Sequence, residues 1–361
     1  MGIFNEFNKK EKPVFTGLKF GFGRGAAGAA ATPNPQINFV YFYSSGSWTV
    51  PSDTFSATEG GTAGTVNVLV VAGGGGAGFN AAGAGGGAGG FRYATAYTIP
   101  APAGSTVPLT VGTGGLPALD YASGPRVGAS GGNSTFAPGT PYAITATGGG
   151  GGGQNNNPPD PGMIVNGRGG SGAGGACGEA GAGLPGSDGN QGGNVSSPPF
   201  SQAAEGYPGG TGTNVGPASE GFSGGGGGGA GGAGGDNGPY SGGNGGPGAQ
   251  ANMYVDPSLA PSPGTIYKMP IPQGAPLIAA TYYAGGGGGG SAGPVSNGGT
   301  GGQGGGGNNQ NAGSGSGSPN GGTDGYGGGA AAPRNSRTRN VADNPAQAGG
   351  HGCVILTYYT S

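Results

Sequence analysis

Glycine fills every position of residues 148–153, 224–229 and 285–290, and shorter runs open at Gly73 and Gly304. No helix or ordinary strand core tolerates this, because glycine loses more backbone entropy on folding than any other residue. A chain with 101 glycines in 361 residues needs an architecture in which the missing side chain is an advantage. Extended left-handed polyglycine helices, with about three residues per turn and ~3.1 Å rise per residue, meet that need. Such helices make no internal hydrogen bonds, so their backbone groups must be satisfied by neighbours, and only glycine lets neighbours come close enough. Each six-residue run would be about 19 Å long at that rise. Equal lengths suit side-by-side packing.

Disorder and collagen are the competing readings of a chain in which glycine and proline exceed a third of the residues. Collagen fails because the runs carry no G-X-Y period. Disordered chains are rich in charge and poor in aromatics. This chain has 14 acidic and 12 basic residues, a net charge of −2, 15 tyrosines and 13 phenylalanines. Order is the better reading.

Strand patterns punctuate the glycine. Residues 37–43 (INFVYFY) are apolar on both faces and read as a buried strand. A turn follows, then Trp48 and Val50. Val66, Val68 and Val70 share a face. In FRYATAYTI, plain alternation puts Phe91, Tyr93, Tyr97 and Ile99 on one face and Arg92, Ala94 and Thr98 on the other. Val107, Leu109 and Val111 alternate with polar or proline positions, and residues 143–147, 265–271, 277–283 and 353–359 are further strands. Strand-like residues lead into glycine runs: VVA into Gly73, TAT into Gly148, GFS into Gly224 and TYYA into Gly285. The expected fold is therefore all-β with a polyglycine-II bundle, strands flanking it, long irregular loops and almost no α-helix. Residues 154–223 and 230–264, rich in Asn, Pro, Ser and Gly, read as excursions from the bundle.

Three parts emerge. Residues 1–24 hold Lys9, Lys10, Lys12, Lys19 and Arg24 together with Phe4, Phe7, Phe15, Phe20 and Phe22. A basic segment with spaced phenylalanines and no core of its own reads as a docking peptide buried on a partner. Residues 25–36 are a small, proline-bearing linker, and 37–361 form the glycine-rich module. Neither a secretory signal nor a run of about 20 apolar residues is present, so membrane insertion is not expected.

Catalytic motifs are scarce. Glycine at this frequency matches G-x-G-x-x-G by chance, and the chain has no Gly-Lys pair for a phosphate loop. The GGAGGD segment from Gly231 fits only the start of a calcium nonapeptide and is not repeated in tandem. His351 is the sole histidine, in a turn before the last strand, and the carboxylates are scattered. The expectation is a non-enzyme with no cofactor and no metal. Arg334, Arg337 and Arg339 form a basic patch without interleaved aromatics in a net acidic chain, so nucleic acid is not an expected partner. Cys177 and Cys353 allow at most one disulfide and, so far apart in sequence, read as two free small residues.

Several blocks in order resemble the glycine-rich virion proteins of tailed bacteriophages, especially marine ones. They are YFYSSGSWTVP, VNVLVVAGGGGAG, VPLTVGTGG, GGNSTF, ITATGGGGGG and the closing GGHGCVILTYY. The likeness spans residues 37–361, with Cys353 where a small aliphatic residue is more usual. MGIFNEFNKKEKPVFTGLKFGFG looks like a virion-attachment leader. The resemblance implies a polyglycine sandwich whose distal loops recognise the host surface. It implies a tail-fibre or adhesin component, assembled in the host cytoplasm and exposed on the outside of the particle. Its partners would be other virion proteins, through the N-terminus, and a host saccharide or protein. The alternative is a capsid-decorating or head-fibre protein anchored through the same leader. Monomer and homotrimer are both compatible with such a chain. Tyr207, Phe222, Tyr240, Tyr254 and Tyr267 are the candidate host-contact residues.

Overall fold

The computed structural model describes residues 36–51, 55–56, 64–79, 83–99, 101–119, 127–153, 168–177, 184–189, 204–214, 222–238, 240–251, 253, 266–270, 281–291, 297–309, 319–333 and 345–360. Among them there is no α-helix or 3₁₀-helix; the elements with a regular ladder are all strands. In chain order these are β1 (Gln36–Phe42), β2 (Gly46–Thr49), β3 (Phe55–Ser56), β4 (Thr65–Val71), β5 (Phe91–Thr98), β6 (Thr106–Thr110) and β7 (Ser134–Phe136). There follow β8 (Ile144–Ala146), β9 (Thr213–Asn214), β10 (Phe222–Ser223), β11 (Ala249–Ala251), β12 (Ile266–Pro270), β13 (Thr281–Tyr283) and β14 (Cys353–Thr360).

The largest sheet runs β12-β1-β14-β4-β5, with β3 beside the end of β14, and every pairing is antiparallel. Alternation sends its side chains to two cores. Val40, Phe42, Val66, Val68, Val70, Val354, Leu356 and Tyr358 pack against Trp48, Val107, Leu109, Phe136 and Ile144 of the second sheet, β2-β6-β7-β8. Ile37, Phe39, Tyr41, Leu69, Val71, Cys353 and Ile355 face the other way, onto Ala249, Ala251 and Tyr283 of the β11–β13 pair. The central strands are thus buried on both faces, as residues 37–43 implied. Cys177 and Cys353 are both buried and no disulfide joins them.

One face assignment is corrected. The β4–β5 register slips between Val66 and Val68, which pair with Tyr97 and Ala94. Ala96 sits at φ 50°, and its N–H donates to Asn67 Oδ1 at 2.9 Å. This bulge inserts one residue and flips everything beyond it to the opposite face. Phe91 and Tyr93 therefore join one core, while Ile99 and Tyr97 pack in the other.

Beyond the sheets the strands run on as glycine helices. Gly73 and Gly76 donate to Gly132 and Ala129, Gly74 and Ala77 to Gly350 and Gln347, and Gly75 and Gly78 to Gly87 and Ala84, at 2.8–3.1 Å. Residues three apart bond the same neighbour, and each step of +3 meets a step of −3. That is the signature of a three-residue turn beside antiparallel neighbours. The carbonyls of 73–77 accept in turn from Gly149 and Gly152, from Gly115 and Ala118, and from Ala330. Segment 224–230 repeats the pattern: 224, 227 and 230 donate to 290, 287 and 284; 225 and 228 to 175 and 172; 226 and 229 to 235 and 232. The glycine segments form a hexagonal lattice of polyglycine-II helices.

The centre of this lattice is not one of the hexaglycine runs. Segment 83–90 (GAGGGAGG) bonds to 72–78, 147–153, 171–174, 225–228, 287–290 and 327–330. Run 224–229 lies directly against 284–290, but 147–153 is separated from both by this central helix. The supposed excursions also hold lattice helices. Segments 171–176, 184–187, 207–212, 232–237 and 242–248 all donate into or accept from the bundle.

At many glycine positions of the lattice a side chain has nowhere to go. A Cβ on Gly226 would collide with the carbonyl of Asn244, and one on Gly287 with that of Ala330, whereas one on Gly153 would meet only the Ala176 methyl at 3.5 Å. Gly226→Ala and Gly287→Ala should each destabilise the fold by about 1–3 kcal/mol or more, and Gly153→Ala should be near neutral. Thermal melts of the three variants check this; equal melting temperatures would contradict the lattice.

Burial also sets an alkaline limit. The Tyr93 phenol is pushed up to about 12 by burial and then by Tyr359 beside it. Burial likewise raises Tyr283 and Cys353. These groups stay neutral in the fold but ionise near pH 9–10 in the unfolded chain. Their contribution to stability is complete below about pH 9 and declines as pH rises toward 12, on the order of 1 kcal/mol by pH 11 from Tyr93 alone. Denaturant titrations at pH 8 and pH 11 should show that loss.

Candidate binding surface at the loop end of the glycine bundle

The bundle has two unlike ends. Segment 72–79 leaves β4 and runs away from the sheets; 83–90 returns into β5. The same polarity brings Phe79, Leu119, Cys177, Ser291, Asn309 and Pro333 to the far end, where the chain leaves the lattice into its connections. Gln36, which pairs with Thr360, lies at the opposite pole, since β14 enters from the bundle at Cys353. The β9–β10 pair is at the far end too, between 204–212 and 224–230.

Polar side chains there do structural work first. Asn237 accepts from Thr213 Oγ1 at 2.7 Å and donates to the carbonyls of Thr213 and Ser223 at 3.1 and 3.0 Å, fixing β9 and β10 together. Where a helix lies at the lattice edge and lacks a neighbour, a side-chain oxygen takes the neighbour's place. Asp236 Oδ1 accepts from Thr211 N–H at 2.6 Å, Asn244 Oδ1 from Thr300 N–H at 2.9 Å, Asn308 Oδ1 from Gly301 N–H at 2.6 Å and Asn133 Oδ1 from Gly148 N–H at 2.9 Å. His351, in its turn, offers its carbonyl to Gly325 and Gly327, and its N–H donates to Asp324 Oδ1 at 2.8 Å. Among the described residues, Asn133, Asn244 and Asn308 thus serve as edge caps.

The candidate contact residues are not gathered in one place. Phe222, in β10, and Tyr240 are both at the loop end. Tyr207, 38% exposed, donates its N–H to Gly229 and accepts from Gly172, nearer the sheets. Tyr267 belongs to β12, opposite Phe39 in the largest sheet. Tyr254 lies outside the described residues, as do the docking residues Phe4, Phe7, Lys9, Lys10, Lys12, Phe15, Lys19, Phe20, Phe22 and Arg24 and the patch of Arg334, Arg337 and Arg339.

Tyr240 stands out by its backbone. Gly238 and Ser241 exchange N–H···O=C bonds at 3.0 and 3.1 Å, and Tyr240 beside Ser241 holds φ 61°. The left-handed region costs an L-residue roughly 1–2 kcal/mol. Among the described residues, the other non-glycine residues there, Ala96, Ala137 and Ala284, are small. Asn297 N–H donates to the Tyr240 carbonyl at 2.9 Å, so the turn is tied to the next helix.

Two features escaped the sequence reading. Three residues per turn align Thr113, Leu116 and Leu119 along one outer face, and the leucines are 71% and 49% exposed. The second is a buried ion pair. Arg92 of β5 donates from Nε at 2.8 Å and from Nη2 at 2.6 Å to Glu205 Oε1, with side chains 12% and 2% exposed. The Glu205 carbonyl also accepts from Phe91 N–H at 3.1 Å. Two charges 113 positions apart carry no shared sequence signal. Among the described residues, no group of three His, Cys, Asp or Glu could hold a metal ion.

Removing one partner of a buried pair strands the other, at a cost of about 3–5 kcal/mol. Glu205→Ala should therefore lower stability sharply, and a Glu205→Leu/Arg92→Leu double variant should recover part of it. Denaturant midpoints of the single and double variants check this.

The family described as "Glycine-rich domain" matches residues 49–359. No curated protein matches the chain.

Proposed function

The chain belongs to the glycine-rich domain family, and from that premise we propose that it is a non-enzymatic bacteriophage virion protein of the tail-fibre or adhesin type. The observation that carries the reading is polarity. Gln36, to which the basic, phenylalanine-bearing leader connects, is at the pole opposite the loop end of the bundle. A particle-docking segment at one pole leaves the other free to face outward. The lattice between them is a spacer without room for side-chain variation, so recognition falls to the surfaces where side chains emerge. The leader's basic residues and spaced phenylalanines suit a groove on another virion protein, and the loop end suits a host saccharide or protein. Phage particle attachment follows from the sequence resemblance, and the two-pole architecture is what such attachment requires.

The test uses particles. Deleting residues 1–24 should leave the melting temperature unchanged and abolish incorporation into the virion; an unfolded product would sink the two-part reading. Replacing residues 215–220 and 292–296 by Gly-Ser segments of equal length should reduce host adsorption and leave incorporation intact. Undiminished adsorption, with many copies per capsid in place of a few per tail, would make the protein a capsid decoration.

A further inference from the structure

We propose that the perimeter of the glycine lattice is built to stop its own growth. Prolines, side-chain caps and the Thr113–Leu116–Leu119 face close the sides on which a glycine helix of a second copy of this chain would add. The inference does not depend on particle attachment.

A polyglycine helix at the edge of a lattice has the liability of an edge strand: rows of open N–H and C=O groups that template further pairing. The inner helix 72–78 has no such side, being bonded to neighbours all round. Helix 112–119 does. It donates from Gly115 and Ala118 to Gly74 and Ala77, accepts at Gly112 and Gly115 from Gly352 and Gly349, and accepts at Thr113 and Leu116 from Gly132 and Ala129. Its remaining rows face outward.

Proline, which has no N–H, stands inside lattice helices at Pro117, Pro185, Pro208 and Pro247. Each falls in a donor row without a backbone partner. One turn away in those rows are Gly114, Asp188, Thr211 and Asn244. Among the described residues the N–H groups of Gly114, Asp188 and Asn244 meet no acceptor, and that of Thr211 meets the Asp236 carboxylate. Yet the Pro208 and Pro247 carbonyls accept from Gly234 and Gly231. These prolines therefore belong to the lattice and remove a donor only where no lattice neighbour would use it. Pro319, Pro333 and Pro345 stand instead at the ends of their described segments.

Side chains close a second kind of row. A Cβ on Gly73 or Gly76 would run into the carbonyl of Thr113 or Leu116. It would thus point at the helix whose Gly115 and Ala118 bond the carbonyls of Gly74 and Ala77. A side chain in this lattice aims at the neighbour that serves the next residue's carbonyl. By the same geometry Thr113 and Leu116 aim at the place from which a further helix would bond the Gly114 and Pro117 carbonyls. No described segment lies there: Leu116 is 71% exposed and Leu119, one turn on, 49%. A leucine in that place holds an incoming backbone beyond hydrogen-bond distance.

Sedimentation velocity of the full chain across a dilution series tests this. Thr113→Gly/Leu116→Gly/Pro117→Gly bares one edge and should associate, its mass rising with concentration to about twice the parent's or more. Leu116→Lys/Leu119→Lys keeps the obstruction and should match the parent at every concentration. The two outcomes separate lattice growth from ordinary apolar adhesion, because removing leucines strengthens the first and weakens the second. Circular dichroism and a thermal melt establish that each variant is folded. Should the triple variant unfold, Pro185→Gly/Pro247→Gly, which opens other edges, decides in the same way. A folded glycine variant with the parent's mass overturns the proposal. So does a lysine variant of lower mass than the parent, which would make the leucine face an interface between copies.

Discussion

Every other feature depends on the hydrogen bond between one glycine helix and the next. A three-residue turn points successive N–H groups in three directions, so a single helix cannot satisfy itself and a pair leaves most donors open. Only a lattice closes the account, and in 72–78, 83–90, 224–230 and 284–290 it does. The spacing that makes those bonds 2.8–3.1 Å long puts neighbouring carbonyls where Cβ atoms would be. Glycine is thus required by the contact between helices more than by the conformation of any one helix. Alanine is accommodated at particular lattice positions: Ala84 and Ala88 are fully buried in the central helix, and Ala77, Ala118, Ala330, Ala332 and Ala346 cluster with Phe79 at the loop end.

Such a lattice does not stand on backbone bonds alone. A backbone hydrogen bond contributes about 0.5–1.5 kcal/mol net, and ordering each residue costs about 1–2 kcal/mol. The sheets supply the difference through two apolar cores that share the central strands β1, β4 and β14. They also set the lattice positions, because β4, β5, β6, β7, β8, β13 and β14 pass directly into glycine helices. Strand spacing at the base becomes helix spacing above it. The Arg92–Glu205 pair adds a further tie, joining an edge strand of the largest sheet to helix 204–212. In a chain with few charges, burying two of them together fixes one segment against one strand.

The lattice edge explains the polar residues. Capping by Asn133, Asp236, Asn244, Asn308 and Asp324 shows why Asn-rich segments are compatible with a rigid module. Those residues occupy places where a neighbouring carbonyl is missing.

How much of this was legible depended on range. Local patterns announced the class: uninterrupted glycine requires close backbone approach, alternating valines require a sheet, and the absence of helical period excludes helices. Residues 37–43, 66–70 and 353–359 could be read as strands because their apolar pattern is strong and local. The faces of Tyr97 and Ile99 could not, because a one-residue bulge opposite Asn67 leaves no mark on the sequence of β5. Nor could the central place of 83–90, which two alanines disguise, or the lattice role of segments within 154–223 and 230–264. Membership of the lattice is decided by which carbonyl stands three residues further along a neighbour distant in the chain. The meeting of Arg92 with Glu205 and the left-handed Tyr240 turn are of the same kind. The sequence alone determined that backbones must touch; only the tertiary structure decided which ones, because a glycine carries no side chain to specify its neighbour.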